Sequence, residues 1–242
     1  MSEAAEEVSV LSAGAVAPGV VRVIDAFRRE TGHGVKVTFA TAPAISKRIS
    51  GGEAVDVVIA PPAVLDEWVR AGKAGAARRV TIGRIGVGVM VRSGARLPKL
   101  ATVDDFKQSL LSAESVVYNQ ASTGIYLEGL FDRLGIRDPL QLKSIRYPDA
   151  AAVLDHVGKG KDNEIGLGAT TVIIEGQSKG IKFVGPLPVE IQNYTTYGAT
   201  VTSNAASGAA LELVRYMTSP AGKNALMAAG IDVAGTDRND EG

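Results

Sequence analysis

The sequence predicts an α/β protein built as two doubly wound lobes joined by two crossover strands, and three features carry that expectation. Short β-branched runs alternate with amphipathic stretches up to Gly72, the alternation gives way to one long extended run from Arg79 to Arg92, and the βα unit then restarts at Ser115. A second extended run, Val189 to Ser203, leads into two helical stretches at the far end. Alternating strands and helices with short connections favour right-handed crossovers and a parallel sheet. The first strand set lacks closing helices unless the C-terminal pair supplies them. The expected lobes are therefore 1–83 with 193–242, and an inserted 84–192, hinged at about Arg84 and Asn193 around a cleft.

The elements follow in order. Val8 to Leu11 is a strand, Ser12 to Ala15 a turn, and Pro18 opens a helix with Val16, Val20, Val23, Ile24 and Phe27 on one face, ended by Gly32. Val35 to Phe39 is the next strand. The turn Ala40 to Pro43 feeds a helix holding Ile45, Lys47, Arg48 and Ile49, stopped by Gly51-Gly52. Val55 to Ala60 is nearly all apolar, as in strands covered on both faces. Pro61-Pro62 starts a helix through Leu65 and Trp68. The second set is a strand at Ser115 to Tyr118, a helix from Ser122 or Thr123 to Leu134, a strand at Ser144 to Tyr147, a helix from Asp149 to Val157, and a strand at Glu164 to Leu167. Helices from about Ala205 to Met217 and from Pro220 to Ala229 close the chain.

Composition removes several function classes. The 242 residues, 45% hydrophobic and 21% charged, are ordinary for a globular chain, and 26 basic against 26 acidic residues leave no global field to draw nucleic acid or acidic lipid. Zero cysteines exclude disulfides, thiolate nucleophiles and sulfur-bound zinc, and two histidines, His33 and His156, cannot build a His-rich metal site. No metal or cofactor is expected. No run of 18 apolar residues occurs, so no membrane insertion is expected. Met1 to Glu7 is acidic and polar where an export signal is basic and then apolar. The expected location is the periplasm if a signal has been removed, and the cytoplasm otherwise.

In open α/β sheets ligands bind beyond the carboxyl ends of the strands, where helix N-termini present unpaired N–H groups and a positive dipole end. Such junctions occur at Ser12 to Val16, Thr41 to Ala44, Ala121 to Ile125 and Pro148 to Ala151. All are short and mostly uncharged, so a small anion could approach the backbone closely. Ser122, Thr123 and Asp149 also read as ordinary N-caps. Lys47, Arg48 and Arg146 are candidate counter-charges, or solvated surface cations. Gly166-Leu167-Gly168 and Gly158-Lys159-Gly160-Lys161 lack nucleotide-binding spacing and read as turns, and Asn193-Tyr194-Thr195 matches a glycosylation acceptor by composition only. Tyr194 and Tyr197 fall on the second extended run, as hinge packing or as cleft lining.

The series LSAGAV, VTFATAPAISKRISGG, VDVVIAPP, NQASTGIYLEGLFDRLG and SPAGKNALMAAGI resembles the periplasmic molybdate-binding proteins, within the type 2 substrate-binding proteins of ABC transporters, over roughly Val8 to Asp232. The resemblance implies the type 2 periplasmic binding protein fold, an ABC permease as partner, and a monomer. The family places serines after its first two strands and a tyrosine after the strand near Leu167, and those positions fall on Ala15, Ala42 and Ala169. Gly124-Ile125-Tyr126 matches, with Thr123 at the anion-facing backbone position and Ala150 at its equivalent in the fourth junction. With the junction hydroxyls and Tyr194 added, the candidate ligand set is Ser12, Ala15, Thr41, Ala42, Ser122, Thr123, Tyr126, Ala150, Ala169 and Tyr194. Each absent hydroxyl costs a compact oxyanion about 1–3 kcal/mol where the oxygen stays unpaired. An organic carboxylate is therefore expected over molybdate.

Two functions stand from different classes: a capture protein that closes on its ligand and docks on a permease, and an enzyme on the same scaffold. The chain also resembles proteins assigned to aconitate isomerisation, a cis/trans conversion of a tricarboxylate by proton shift. For that chemistry the candidate bases are Tyr126, Lys47 and Asp149.

Overall fold

The computed structural model describes residues 7–203, 205 and 208–233, apart from the side chains of 75–78. It divides into a first unit, Met1–Ile85 with Thr195–Gly242, and a second, Gly86–Tyr194. The chain passes between them at 85/86 and again at 194/195.

The first unit begins with β1 (Glu7–Ala13), a 3-10 turn at Gly14–Val16, α1 (Ala17–Thr31), β2 (Gly34–Ala40), α2 (Ala42–Ser50), β3 (Val57–Ala60) and α3 (Pro62–Arg70). Pro18 sits in the first turn of α1, where its missing N–H costs nothing. Val20, Val23, Ile24 and Phe27 fill the buried face. Gly32 ends the helix in the left-handed region at φ 78°, and its N–H caps the Arg28 carbonyl. β1 pairs in parallel with β2 on one side and β3 on the other, and every residue of β3 is buried. β4 (Ala74–Arg92) then leaves the unit.

The second unit continues with α4 (Val103–Ser112), β5 (Ser115–Asn119), α5 (Ser122–Arg133), α6 (Arg137–Gln141), β6 (Ser144–Tyr147), α7 (Ala150–Lys159), β7 (Glu164–Ala169), α8 (Thr170–Gly176) and β8 (Ile181–Pro186). Its parallel strands run β7-β5-β6, and β4 joins β7 antiparallel. Phe106, Leu110, Leu127 and Leu130 form the core with one set of helices, while Val153, Val157, Ile173 and Ile181 form another. The chain returns through β9 (Tyr194–Thr202), antiparallel to β3, and ends in α9 (Gly208–Thr218) and α10 (Pro220–Met227), which pack on α1.

Three points depart from the expectation. Each unit's sheet is mixed rather than wholly parallel, because β4 and β9 arrive without a crossover helix of their own and nothing binds them to the parallel direction. The second extended run starts only at Tyr194. Residues Val189–Ile191 close a 3-10 turn in which the Ile191 N–H donates to the Pro188 carbonyl. Helices α4, α6 and α8 and strand β8 went unread, although Thr102 accepts from the Asp105 N–H and caps α4 as an N-terminal hydroxyl should.

Candidate functional site

In the first unit the carboxyl ends of β1 and β2 lie in register, Ala13 beside Ala40, so the turn into α1 and the start of α2 are neighbours. Ala15 and Ala42 are half-buried at these junctions and Thr41 is exposed. Thr41 is the N-cap of α2, its Oγ1 accepting from the Ala44 N–H at 3.4 Å. Ser12 is not in the turn where the sequence put it. It lies within β1 between Phe39 and Ile59, fully buried, and its hydroxyl donates to the Ala13 carbonyl at 3.3 Å. The strand end after β3 leads into Pro61-Pro62 and offers no N–H at its first positions.

In the second unit Asn119 and Tyr147 end β5 and β6 in register, so the starts of α5 and α7 are neighbours too. Asn119 is buried, and its Oδ1 accepts from the Ala121 N–H at 3.0 Å, which fixes the turn into α5. Gly124 is demanded by packing: a Cβ there would overlap the Asn119 carbonyl oxygen. The first intrahelical bond runs from the Ile125 N–H to the Ala121 carbonyl, so the N–H groups of Ser122 to Gly124 have no partner within the helix. The N-cap is Ala121, without a capping side chain. The hydroxyls of Ser122 and Thr123 are thus in the first turn of α5, not spent as N-caps. Asp149 is an N-cap: its Oδ1 accepts from the Ala152 N–H at 2.9 Å, with Ala150 as first residue of α7. Ala169 ends β7 half-buried.

The remaining candidates are placed as follows. The Tyr126 hydroxyl donates to the Ile191 carbonyl at 2.6 Å, and the Arg133 guanidinium lies 5.5 Å from its ring centre. Tyr194 opens β9, 44% exposed, whereas Tyr197 is buried. Burial pushes the Tyr197 phenol up to about 12. Two of the proposed counter-charges are already paired, Arg48 with Glu53 at 3.3 Å and Arg146 with Glu128 at 2.9 Å. Lys47 is exposed on α2. Sequence reasoning missed Asn119, although an Asn at the end of an apolar strand before a small-residue turn is a turn signal. Among the described residues no group of three metal-ligating side chains occurs, and no helix is long and apolar enough to cross a membrane.

A family model of bacterial extracellular solute-binding proteins matches residues 8–232. The chain belongs to this family. It is 32% identical over 232 residues to an aconitate isomerase from a Pseudomonas species, covering 92% of this chain and 86% of that one. Its fold is that of the periplasmic molybdate-binding protein of Azotobacter vinelandii, with a TM-score of 0.73 at 20% identity over 93% of this chain and 98% of that one. PEB3, a protein of Campylobacter jejuni solved with L-phospholactate bound, superposes with a TM-score of 0.70 at 12% identity, over 93% of this chain and 99% of the other. The architecture is the two-lobe periplasmic binding protein type.

Proposed function

We propose that the chain captures a small organic polycarboxylate at the carboxyl edges of its parallel strands, in the periplasm, and delivers it to an ABC permease. The observation that carries this reading is the set of half-buried alanines, Ala15, Ala42 and Ala169, standing at junctions where helix N-termini supply backbone donors. A carboxylate takes N–H groups in its plane and brings a carbon skeleton to fill the space beside them. A compact tetrahedral oxyanion needs hydroxyls that alanines do not have. Ser122 and Thr123, unspent as caps, are the side-chain donors this reading assigns to the carboxylate oxygens.

The similarity to an aconitate isomerase supports a second reading at the same edges. That reaction moves a proton from the methylene carbon of aconitate to its vinylic carbon while the double bond shifts the other way, so one base removes the proton and an acid returns it. Of the candidate groups, the Tyr126 hydroxyl is engaged with Ile191, Asp149 keeps one carboxylate oxygen beyond its cap bond, and Lys47 is exposed. Asp149 and Lys47 are thus the better placed to move a proton.

Calorimetry with cis-aconitate, citrate and molybdate tests the capture reading. The organic anions are expected to bind at least tenfold more tightly than molybdate. Micromolar molybdate binding that no carboxylate displaces would overturn it. Incubation with cis-aconitate in deuterated water, followed by NMR, separates capture from catalysis. Unlabelled, unconverted substrate is the outcome for a capture protein. Turnover lost by a factor of about 100 in Asp149→Asn or Lys47→Met would establish the isomerase and its base.

A further inference from the structure

The carboxyl edge of the second unit holds a buried polar side chain whose bonding is incomplete. Asn119, the last residue of β5, is 8% exposed. Its Oδ1 accepts from the Ala121 N–H at 3.0 Å, and that bond fixes which end of the amide is which, because only the oxygen accepts. The other end, Nδ2, is a donor. It has no acceptor among the described residues, yet it is not sealed from solvent. The sealed, unpartnered polar atoms are His33 Nδ1, Arg48 Nη1, Trp68 Nε1 and Glu164 Oε1.

The residue is held firmly. The N–H of its neighbour Gln120 donates to the Tyr147 carbonyl at 2.8 Å, and Gly124 packs directly on the Asn119 carbonyl. Nδ2 shares its carbon with Oδ1, so it stands at the turn into α5, where the N–H groups of Ser122 to Gly124 have no partner within the helix. Gln120 and Ser122 are exposed and Thr123 and Ala150 half-buried, which leaves this edge open to a ligand. The turn itself uses only the amide oxygen, and an aspartate would supply that equally well. A buried donor without an acceptor is costly. The neighbouring carboxylates are already bonded, Asp149 to the Ala152 N–H and Glu128 to Arg146. What the turn lacks is an acceptor, and a carboxylate brings two oxygens in one plane.

We propose that Asn119 is a ligand-binding residue: Nδ2 donates to one oxygen of the ligand carboxylate while the first-turn N–H groups of α5 take the other. This rests on the capture of an organic carboxylate at these edges, and it adds to Ser122 and Thr123 a side-chain donor that packing has already oriented.

Calorimetry with citrate and cis-aconitate, together with ¹⁵N NMR of the side-chain amides, tests it. The two proton signals of Asn119 Nδ2, identified by their loss in Asn119→Asp, are expected to shift and to saturate with the affinity that calorimetry gives. Asn119→Asp keeps the oxygen that holds the turn and replaces the donor with a second acceptor. Affinity is expected to fall at least about tenfold, the scale of a hydrogen bond to a charged group, with the thermal midpoint unmoved. Gln120→Glu puts the same charge on the exposed neighbour and is expected to change affinity by less than about threefold. Asn119→Ser, which keeps a turn-forming oxygen but loses the amide, is expected to show the same loss and decides the matter if the aspartate variant does not fold. An Asn119 signal unmoved at saturation overturns the proposal and leaves capture standing, as does affinity unchanged in a folded variant or lost equally in Gln120→Glu. Unaltered protein that binds neither anion overturns capture, and the proposal with it.

Discussion

The carboxyl edges of the two units are built to the same plan and finished differently. In both, two neighbouring parallel strands end in register and each is followed at once by a helix. The first unit finishes its edge with alanines, a glycine and one threonine that caps its own helix, and turns Ser12 back into the sheet. The second finishes its edge with Asn119, Ser122, Thr123, Tyr126 and Asp149. Backbone donors are common to both, since any helix start provides them. Side-chain hydroxyls in and beside the first turns are more numerous in the second unit, where Ser122 and Thr123 stand against Thr41 alone. The difference teaches that a shared topology sets where backbone donors gather, while the residues in the first turn decide which side chains stand beside them.

The largest expected effect breaks this comparison at its glycines. Gly124 has the Asn119 carbonyl where its Cβ would be, whereas a Cβ on Gly14 would find nothing nearer than the Ala40 oxygen at 4.0 Å. Gly124→Ala should cost about 3 kcal/mol in urea unfolding, at the upper end of overpacking penalties, because a backbone atom cannot step aside as a side chain can. Gly14→Ala should stay within about 0.5 kcal/mol. Equal costs would mean that the second unit's edge is no more tightly built than the first.

The next effect distinguishes the units by pH. Tyr197, on the part of β9 that belongs to the first unit, is raised by burial from the ordinary 10.0 to about 12. A phenol with its folded value raised stabilises the fold fully below the unfolded value, and that stability is lost as pH rises through the folded one. The Tyr197 contribution to unfolding free energy should therefore fall by about 2 kcal/mol between about pH 10 and pH 12, and Tyr197→Phe should reduce the slope, what remains coming from Tyr216, which burial and its bond to Glu30 also raise to about 12.

A smaller effect sharpens the comparison at the caps. The Asp149 bond to the Ala152 N–H is 2.9 Å and charge-assisted, while the Thr41 bond to the Ala44 N–H is 3.4 Å. Asp149→Ala should cost about 1 kcal/mol and Thr41→Ala about half as much, read by thermal unfolding. Asp149→Asn keeps the cap and removes a negative charge from the anion edge, so carboxylate affinity measured by calorimetry should rise while stability holds.

Much of this arrangement was legible in the sequence, and what was hidden shares a cause. β-branched runs bounded by small residues located β1, β2, β5 and β6, and Pro18 and Gly32 marked the ends of α1, because these signals are local. Ser12 was misplaced because strand and turn share the same small residues, and only pairing with β2 and β3 draws the strand out to Ala13. The pairing of Arg48 with Glu53 and of Arg146 with Glu128 was not legible, since an arginine's partner is a matter of packing. Tyr147, His156, Glu164 and Ser115 form a hydrogen-bonded chain carried by three strands and a helix, and no spacing in one dimension reveals it.

The smallest expected effect bears most directly on ligand choice. Ala42 is the first residue of α2, half-buried, directly after the capping Thr41. Ala42→Ser adds a hydroxyl beside that of Thr41, whose cap bond uses the oxygen as acceptor and not the O–H, and a net hydrogen bond to a ligand oxygen is worth about 0.5 kcal/mol at the low end of the usual range. Molybdate affinity should rise twofold to threefold by calorimetry, while the affinity for cis-aconitate stays level or falls, because the hydroxyl intrudes on the wall that a carbon skeleton would use. Thr123→Ser, which keeps a hydroxyl in the second unit's first turn, should leave the ratio of the two affinities unchanged. If Ala42→Ser strengthened both ligands alike, the alanines would be a gap in the donor set and not a surface for carbon. The selectivity would then rest with Ser122 and Thr123.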